Sequence, residues 1–522
     1  MITDIFEKWQ PSFQLQRREI VTITAATTAV IAAKTLYSLA QQFYGSGDCA
    51  VVPYTLPFVG STREYRRDPQ GFVEKWTKKF GPVYKMHIFG RITTVVSGSH
   101  VREIFLNNDF DFQLGMRRRF DVRLLMDINE HVETTRARQI LLNHLHRNMK
   151  NYVPRVVKYL KMAATQQLGE MPDGTKTLPH VYPLMQHMIA NATASIFVGE
   201  NLCKDEKLIE VFKNVTLDVG AEIQTDSLFL DWFSTISEFR QWWIGKASHI
   251  SRRYKRQLIE ALKPEIAMRE ENKNKPGWER PADILQDLLE TVPIPRGWDA
   301  ASFLADYIIA FIFASIHTTS ENSTVVMYRL LQHPELIPEL LEEQKQVLKE
   351  ELGEEKANST QDVTSLFTFN VVRSLVKLDS LCRESMRLRN DYLALPHRYT
   401  GTKPVTLSNG VVIRPGEDII INQWYNHRSA EIQKDKESDH NSFQPFRYVG
   451  LDRQSTKIGE DFLMFGMGAH ACPGRWFALQ EVKTIVSVFI REFEISAKDG
   501  VYFPEGDINK LPFGELVLKK RT

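Results

Sequence analysis

Cysteine is scarce. The chain has four in 522 residues, at 49, 203, 382 and 472, too few and too scattered for a disulfide framework. That usage suits a reducing compartment. An excess of one charge is also missing. Lys plus Arg number 66 and Asp plus Glu 64, so no net field argues for a nucleic-acid partner. No repeat with a period of roughly 20–50 residues is evident, which removes the signature of solenoids and propellers. What remains is an ordinary globular composition, 43% hydrophobic and 25% charged, in a chain long enough for a large core.

The most informative stretch is residues 465–475, Phe-Gly-Met-Gly-Ala-His-Ala-Cys-Pro-Gly-Arg. Ala478, Leu479, Val482, Ile485, Val486 and Phe489 follow at helical spacing, predicting a helix from about Pro473 to about Arg491. Pro473 suits a first helical position. Cys472 then stands at a helix N-terminus, where the dipole and free N–H groups favour a thiolate. Gly466, Gly468 and Gly474 remove side chains around the sulfur, so backbone can approach a flat, bulky group. His470 adds a donor beside it. No second Cys or His stands at the spacing of a zinc cage. A lone thiolate in this setting reads as the axial ligand of a haem iron.

The pattern Phe465-x-x-Gly468-x-His470-x-Cys472-x-Gly474 resembles the haem-binding loop of the cytochrome P450 superfamily, with His where Arg is commoner. Three further motifs occur in the family's order. Ala314-Ser-Ile-His317-Thr318-Thr319 resembles the oxygen-binding segment, with Ser315 in place of glycine and His317 in place of an acid. Glu384 and Arg387 match Glu-x-x-Arg, and Arg447 in Phe443-Gln-Pro-Phe-Arg447 supplies its third member. The resemblance spans roughly residues 50–520. It implies a mainly α fold with small β-sheets, the cytochrome P450 fold.

It also implies haem b with Cys472 as metal ligand and His470, Phe465 and Gly466 around it. Thr318 and His317 become the catalytic pair that delivers protons. Arg398, in Pro396-His397-Arg398, matches a haem-propionate partner. Arg138 matches another, with Arg136 as its rival, because the family's tryptophan position falls at Thr134. Glu384, Arg387 and Arg447 form a structural network. The reaction implied is monooxygenation: one atom of O2 enters a substrate C–H bond and the other leaves as water. No flavin or nicotinamide motif is present, so NADPH electrons come from a separate reductase, NADPH-cytochrome P450 reductase. The His-Thr-Thr variant resembles fungal members acting on terpenoid skeletons, which suggests an apolar, terpenoid substrate in fungal secondary metabolism. A steroid or fatty-acid hydroxylase, a haem-thiolate isomerase or dehydratase, and a haem-binding sensor are the alternatives.

Near the N-terminus, Ile20 to Ala40 carries one charge, Lys34, in 21 residues, enough to span a bilayer if that lysine snorkels. The expected layout is an anchor region at 1–44 with its helix at 20–40, a Gly/Pro-rich hinge at 45–62, and a catalytic domain at 63–522. Arg17 and Arg18 alone would draw the N-terminus to the cytoplasm. The resemblance implies the opposite: single-pass anchoring in the endoplasmic reticulum membrane with a cytoplasmic catalytic domain.

Within the body, runs around Gly90 predict a β-hairpin at 83–96, and His100–Leu106 a helix. Glu133–Met149 reads as one basic helix. The aromatics Phe229, Trp232, Phe233, Phe239, Trp242 and Trp243 read as core, in a region where family members roof the substrate pocket. Arg117, Arg118 and Arg119 read as a solvated face. Ser302–Leu331 predicts a buried helix about 45 Å long, in which Thr318 interrupts the regular backbone bonding. Asn409-Gly410 predicts a hairpin turn, and residues 511–514 a turn reaching back over the pocket.

Overall fold

A computed structural model describes residues 49–521 apart from 57–58, 118–133, 224–232, 358–362, 435–437, 505 and 507–509. Of the expected anchor helix it describes Ala25, Thr28, Ala29, Ala32, Ala33 and Leu36, all helical and exposed. The rest of that segment lies outside the described residues, as do Arg118, Arg119, Phe229 and Trp232.

The first principal elements are α1 (Pro69–Phe80), β1 (Val83–Ile88), β2 (Arg91–Val96), β3 (Phe110–Asp111), α2 (Thr134–Ile140) and α3 (Met149–Leu168). Next come β4 (Thr175–Leu178), α4 (Tyr182–Phe197), α5 (Glu206–Ile223), α6 (Ser234–Ala247), α7 (His249–Asn272), α8 (Ala300–Gln332), α9 (Ile337–Leu352) and α10 (Val376–Arg387). The chain ends with β5 (Leu393–Tyr399), β6 (Val405–Thr406), β7 (Val412–Ile413), β8 (Asp418–Asn422), α11 (Gln423–Arg428), α12 (Arg475–Glu492), β9 (Phe493–Ala497) and β10 (Leu516–Lys520). The protein is mainly helical with small sheets, as expected.

Helix α8 is the axis of the core. Asp299 caps it by accepting from the Ser302 N–H, and His333-Pro334 ends it. Its apolar residues bury against α4, α5, α7, α10 and α12. Among the described residues it is also the one helix long and apolar enough to cross a membrane, yet it is mostly buried inside the protein. Burial in a core, not a bilayer, explains its hydrophobicity.

The largest sheet runs β1-β2-β8-β5-β3. Its hairpin pairs Ile88 with Arg91, leaving Phe89 and Gly90 as a two-residue turn. Both have positive φ, 50° and 75°, as such a turn requires. Strand β2 pairs with β8 in parallel, and β8 with β5 antiparallel. That register carries β5 to the edge of the site. The 405–413 hairpin forms, with Gly410 at φ 86°.

Three expectations need correction. The basic stretch 133–149 is not one helix: α2 gives way to a π-helical turn at Leu141–His146 before α3 begins. The aromatics of α6 are not core: Phe239, Trp242 and Trp243 stand exposed. Helix α12 starts at Arg475, after a turn that holds Pro473 and Gly474.

Candidate active site

The loop of residues 465–475 is shaped by its glycines. Gly466 and Gly468 have φ of 65° and 61°. A Cβ on Gly468 would meet the Phe105 carbonyl oxygen at 2.2 Å, so only glycine fits there. The Cys472 N–H donates to the Phe465 oxygen at 2.8 Å, closing the loop. Arg475 donates through Nη1 to the Cys472 carbonyl at 2.8 Å and through Nε to the Thr456 carbonyl at 3.1 Å. Burial pushes the Cys472 thiol up. The N–H groups of Gly474 and Arg475, with the charges of Arg475 and Arg138, oppose that rise. The helix terminus therefore tempers the effect of burial without reversing it.

Around this loop the structure gathers aromatic rings and two polar groups that lack partners. Phe112 lies 6.2 Å from His470, and His397 lies 6.4 Å from His470 and 5.0 Å from Phe105, centroid to centroid. His397 is fully buried. Its Nδ1 lies 2.8 Å from the Leu395 carbonyl, which can only accept, so the proton sits on Nδ1. Its Nε2 is buried with no partner, and burial lowers the ring to about 4. The Nε of Arg138 is likewise buried without a partner.

Arg398 is not part of this cluster. It occupies the other face of β5, its guanidinium beside Gly416. A register shift between Ala394 and His397, with Leu395 at φ 50°, turns His397 inward instead. Sequence reading passed over His397. Strand alternation was the available signal, but the bulge that sets its phase is not legible in the residues.

Solvent reaches Ala314 and Thr318, one turn apart in the otherwise buried α8. The expected break in the helix does not occur. The helix is continuous, and the Thr318 hydroxyl donates to the Ala314 carbonyl at 2.9 Å. His317, the neighbour of Thr318, engages both ring nitrogens. Nδ1 lies 2.8 Å from the Tyr182 hydroxyl and Nε2 3.1 Å from Glu321. Glu321 is also bound by Arg389 at 2.9 Å. Burial pushes the Glu321 carboxyl up, but His317 and Arg389 outweigh it and hold the group at about 2. Arg389 also donates to Asn322, whose Nδ2 donates to the Thr318 carbonyl. Glu321, Tyr182 and Arg389 were not anticipated. The i, i+4 spacing of His317 and Glu321 was the only local sign.

Glu384, Arg387 and Arg447 lie together. Arg387 grips Glu384 with Nε and Nη2, both at 2.8 Å, and Arg447 adds Nε at 3.3 Å. Arg387 Nη1 donates to the carbonyls of His427 and His440. Glu384 and Arg387 are fully buried, and the paired forks satisfy the carboxylate.

The comparisons agree with this geometry. The family model described as cytochrome P450 matches residues 51–521. Cytochrome P450 monooxygenase 151 of Postia placenta is 25% identical over 467 residues, covering 85% of this chain and 86% of that protein. Cytochrome P450 monooxygenase CYP512U6 of Ganoderma lucidum is 25% identical, covering 84% of each. A solved structure, retinoic acid-bound cyanobacterial CYP120A1, shares the fold with a TM-score of 0.64 at 19% identity, over 90% of this chain and 99% of that one. Both of these curated relatives are fungal, and the chain belongs to the cytochrome P450 family: it is a cytochrome P450 monooxygenase.

Proposed function

We propose that the chain is a membrane-anchored monooxygenase of haem b that oxidises an apolar, terpenoid substrate in fungal secondary metabolism. Its electrons come from NADPH through a separate NADPH-cytochrome P450 reductase. The anchor is the 20–40 segment, the hinge 45–62 and the catalytic domain 63–522, held at the endoplasmic reticulum membrane with the catalytic domain in the cytoplasm.

The residues fit haem. Cys472 offers one sulfur with two backbone N–H groups, of Gly474 and Arg475, aimed at it, and such donors stabilise a thiolate ligand. Arg138 and His397 each hold a buried nitrogen with no protein partner. A carboxylate arriving at His397 would draw a proton onto Nε2, so both residues suit the propionates. His470, Phe465 and Gly466 border the same loop. Bound there, haem supplies the activation of O2 for insertion into a C–H bond.

The chain's own part is proton handling and substrate placement. Thr318 presents Oγ1 on the open face of α8, and His317 sits behind it with Nε2 against an ionised Glu321. Through Nδ1 on the Tyr182 hydroxyl and Nε2 on Glu321, the imidazole links Thr318's neighbourhood to a chain of hydrogen-bonding groups along which protons can pass. The terpenoid assignment rests on the His317-Thr318-Thr319 variant. The exposed face of α6, with Phe239, Trp242 and Trp243, supports contact with the membrane from which an apolar substrate enters.

The observation that carries the reading is the pair of N–H groups on the Cys472 sulfur. It is tested by the reduced, carbon monoxide-bound spectrum of the purified protein beside Cys472→Ser. A red-shifted, thiolate-type Soret band lost in the variant is expected. A band typical of histidine ligation would overturn the assignment.

A further inference from the structure

A cavity of 320 Å³ lies at the C-terminal end of α8 and is lined by Arg329, Arg389, Asp391, Trp424, Arg428 and Phe503, among others. Arg329 is eleven residues beyond Thr318, about 16 Å along the helix. Cys472, His397 and Thr318 do not line this cavity.

Its cations outnumber its anions in an unusual way. Asp391 and Glu321 are taken up by Arg389, at 3.4 and 2.9 Å. Arg329 and Arg428 have only neutral partners. Arg329 donates to the Gln332 side chain at 2.9 Å, and Arg428 to the Leu388 carbonyl at 3.1 Å. Each retains a buried nitrogen without a partner, Nε of Arg329 and Nη1 of Arg428. Both guanidiniums lie against aromatic faces. Arg329 is 3.8 Å from the Phe503 centroid, and Arg428 is 3.2 Å from that of Trp424. Stacking fixes the planar forks and leaves their edges free to bond.

Burial lowers Arg329 to about 10 and Arg428 to about 9, and the Arg329 charge is among those acting on Arg428. Both remain cations at neutral pH. Glu384 attracts Arg329 and Asp391 attracts Arg428, yet neither carboxylate bonds to these forks, so each half-buried cation keeps an N–H without an acceptor. An oxyanion of two charges would satisfy both forks at once.

We propose that this cavity binds a phosphate-type oxyanion between Arg329 and Arg428, carried either on a small soluble ester or on a lipid headgroup. The rings of Trp424 and Phe503 floor the site, and the cavity exceeds the size of a bare phosphate, leaving room for the group that bears it.

The test uses the detergent-solubilised holoprotein in chloride buffers of matched ionic strength. Thermal unfolding is followed as inorganic phosphate is added. Saturable stabilisation is expected. Arg329→Met keeps the apolar stem and removes the fork, and should weaken phosphate at least about tenfold. Should that variant fold poorly, broadening of the inorganic phosphate phosphorus-31 line by the wild-type protein, reversed by excess glycerol 3-phosphate with its separate resonance, reads the same site. No saturable effect in the wild type, or an equal effect in Arg329→Met, overturns the proposal. Tighter binding of glycerol 3-phosphate than of phosphatidic acid vesicles assigns a soluble ester. Preference for those vesicles over phosphatidylcholine vesicles, lost in Arg329→Met, assigns a headgroup.

Discussion

His317 Nε2 lies 3.1 Å from Glu321 Oε1, one helical turn further along α8. Family members carry an acid directly before the threonine, and here His317 fills that position. A carboxylate, Glu321, stands one turn further on, and the imidazole contacts it. Glu321 is ionised and accepts only, so Nε2 carries a proton toward it. The Tyr182 hydroxyl at Nδ1 completes the imidazole's partners.

Glu321→Gln tests this bridge. The amide can still accept from Nε2 but cannot take a proton. Product formed per NADPH should fall on the order of tenfold, with hydrogen peroxide rising, while the thiolate-type spectrum stays unchanged. Unchanged coupling would show that Glu321 only positions His317.

Glu384→Ala should abolish the folded protein rather than slow it. Removing the carboxylate leaves Arg387 fully buried and unpaired, at a cost of about 3–5 kcal/mol. That is a large share of a typical domain's stability. Soluble yield and haem content are the measurements, and both should collapse. Recovery of normal yield would mean the backbone carbonyls at His427 and His440 suffice for Arg387.

Much of this was legible because its signals are local. Residues 465–475, the Glu384–Arg387 spacing and the uncharged centre of α8 each declare themselves within a dozen residues. His397 was not legible, since a bulge two residues earlier decides which face it takes. Nor was the Arg329–Arg428 pair. It joins two elements about a hundred residues apart, and neither arginine stands in a pattern. The α6 aromatics misled because aromatic density signals burial in general, while a face left without a protein partner is decided by tertiary packing.

That exposed face carries its own prediction. Phe239 and Trp243 are about 60% exposed, one turn apart on α6. Burying each in a bilayer is worth roughly 1.5–3 kcal/mol. Replacing both with serine should weaken binding of a chain lacking residues 1–44 to neutral vesicles tenfold or more, without shifting its melting temperature. A large loss of thermal stability would instead show that the face is covered within the protein.

Glu481 gives a pH dependence of definite sign. It is fully buried on α12, where the Thr193 hydroxyl donates to Oε1 at 3.0 Å and Oε2 has no partner. Burial raises its carboxyl from the usual 4.5 to about 8, so the folded protein keeps it neutral at pH 7. The unfolded chain releases that proton above its ordinary value. The stabilisation is therefore complete below about 4.5 and is lost as pH rises toward 8, by up to about 1.4 kcal/mol per pH unit. Glu481→Gln keeps the acceptor for Thr193 and removes the proton. Its melting temperature should hold steady between pH 5 and 8, where that of the wild type declines. Parallel declines in the two proteins would place the titration elsewhere, for ionised Glu481 would then cost the fold nothing.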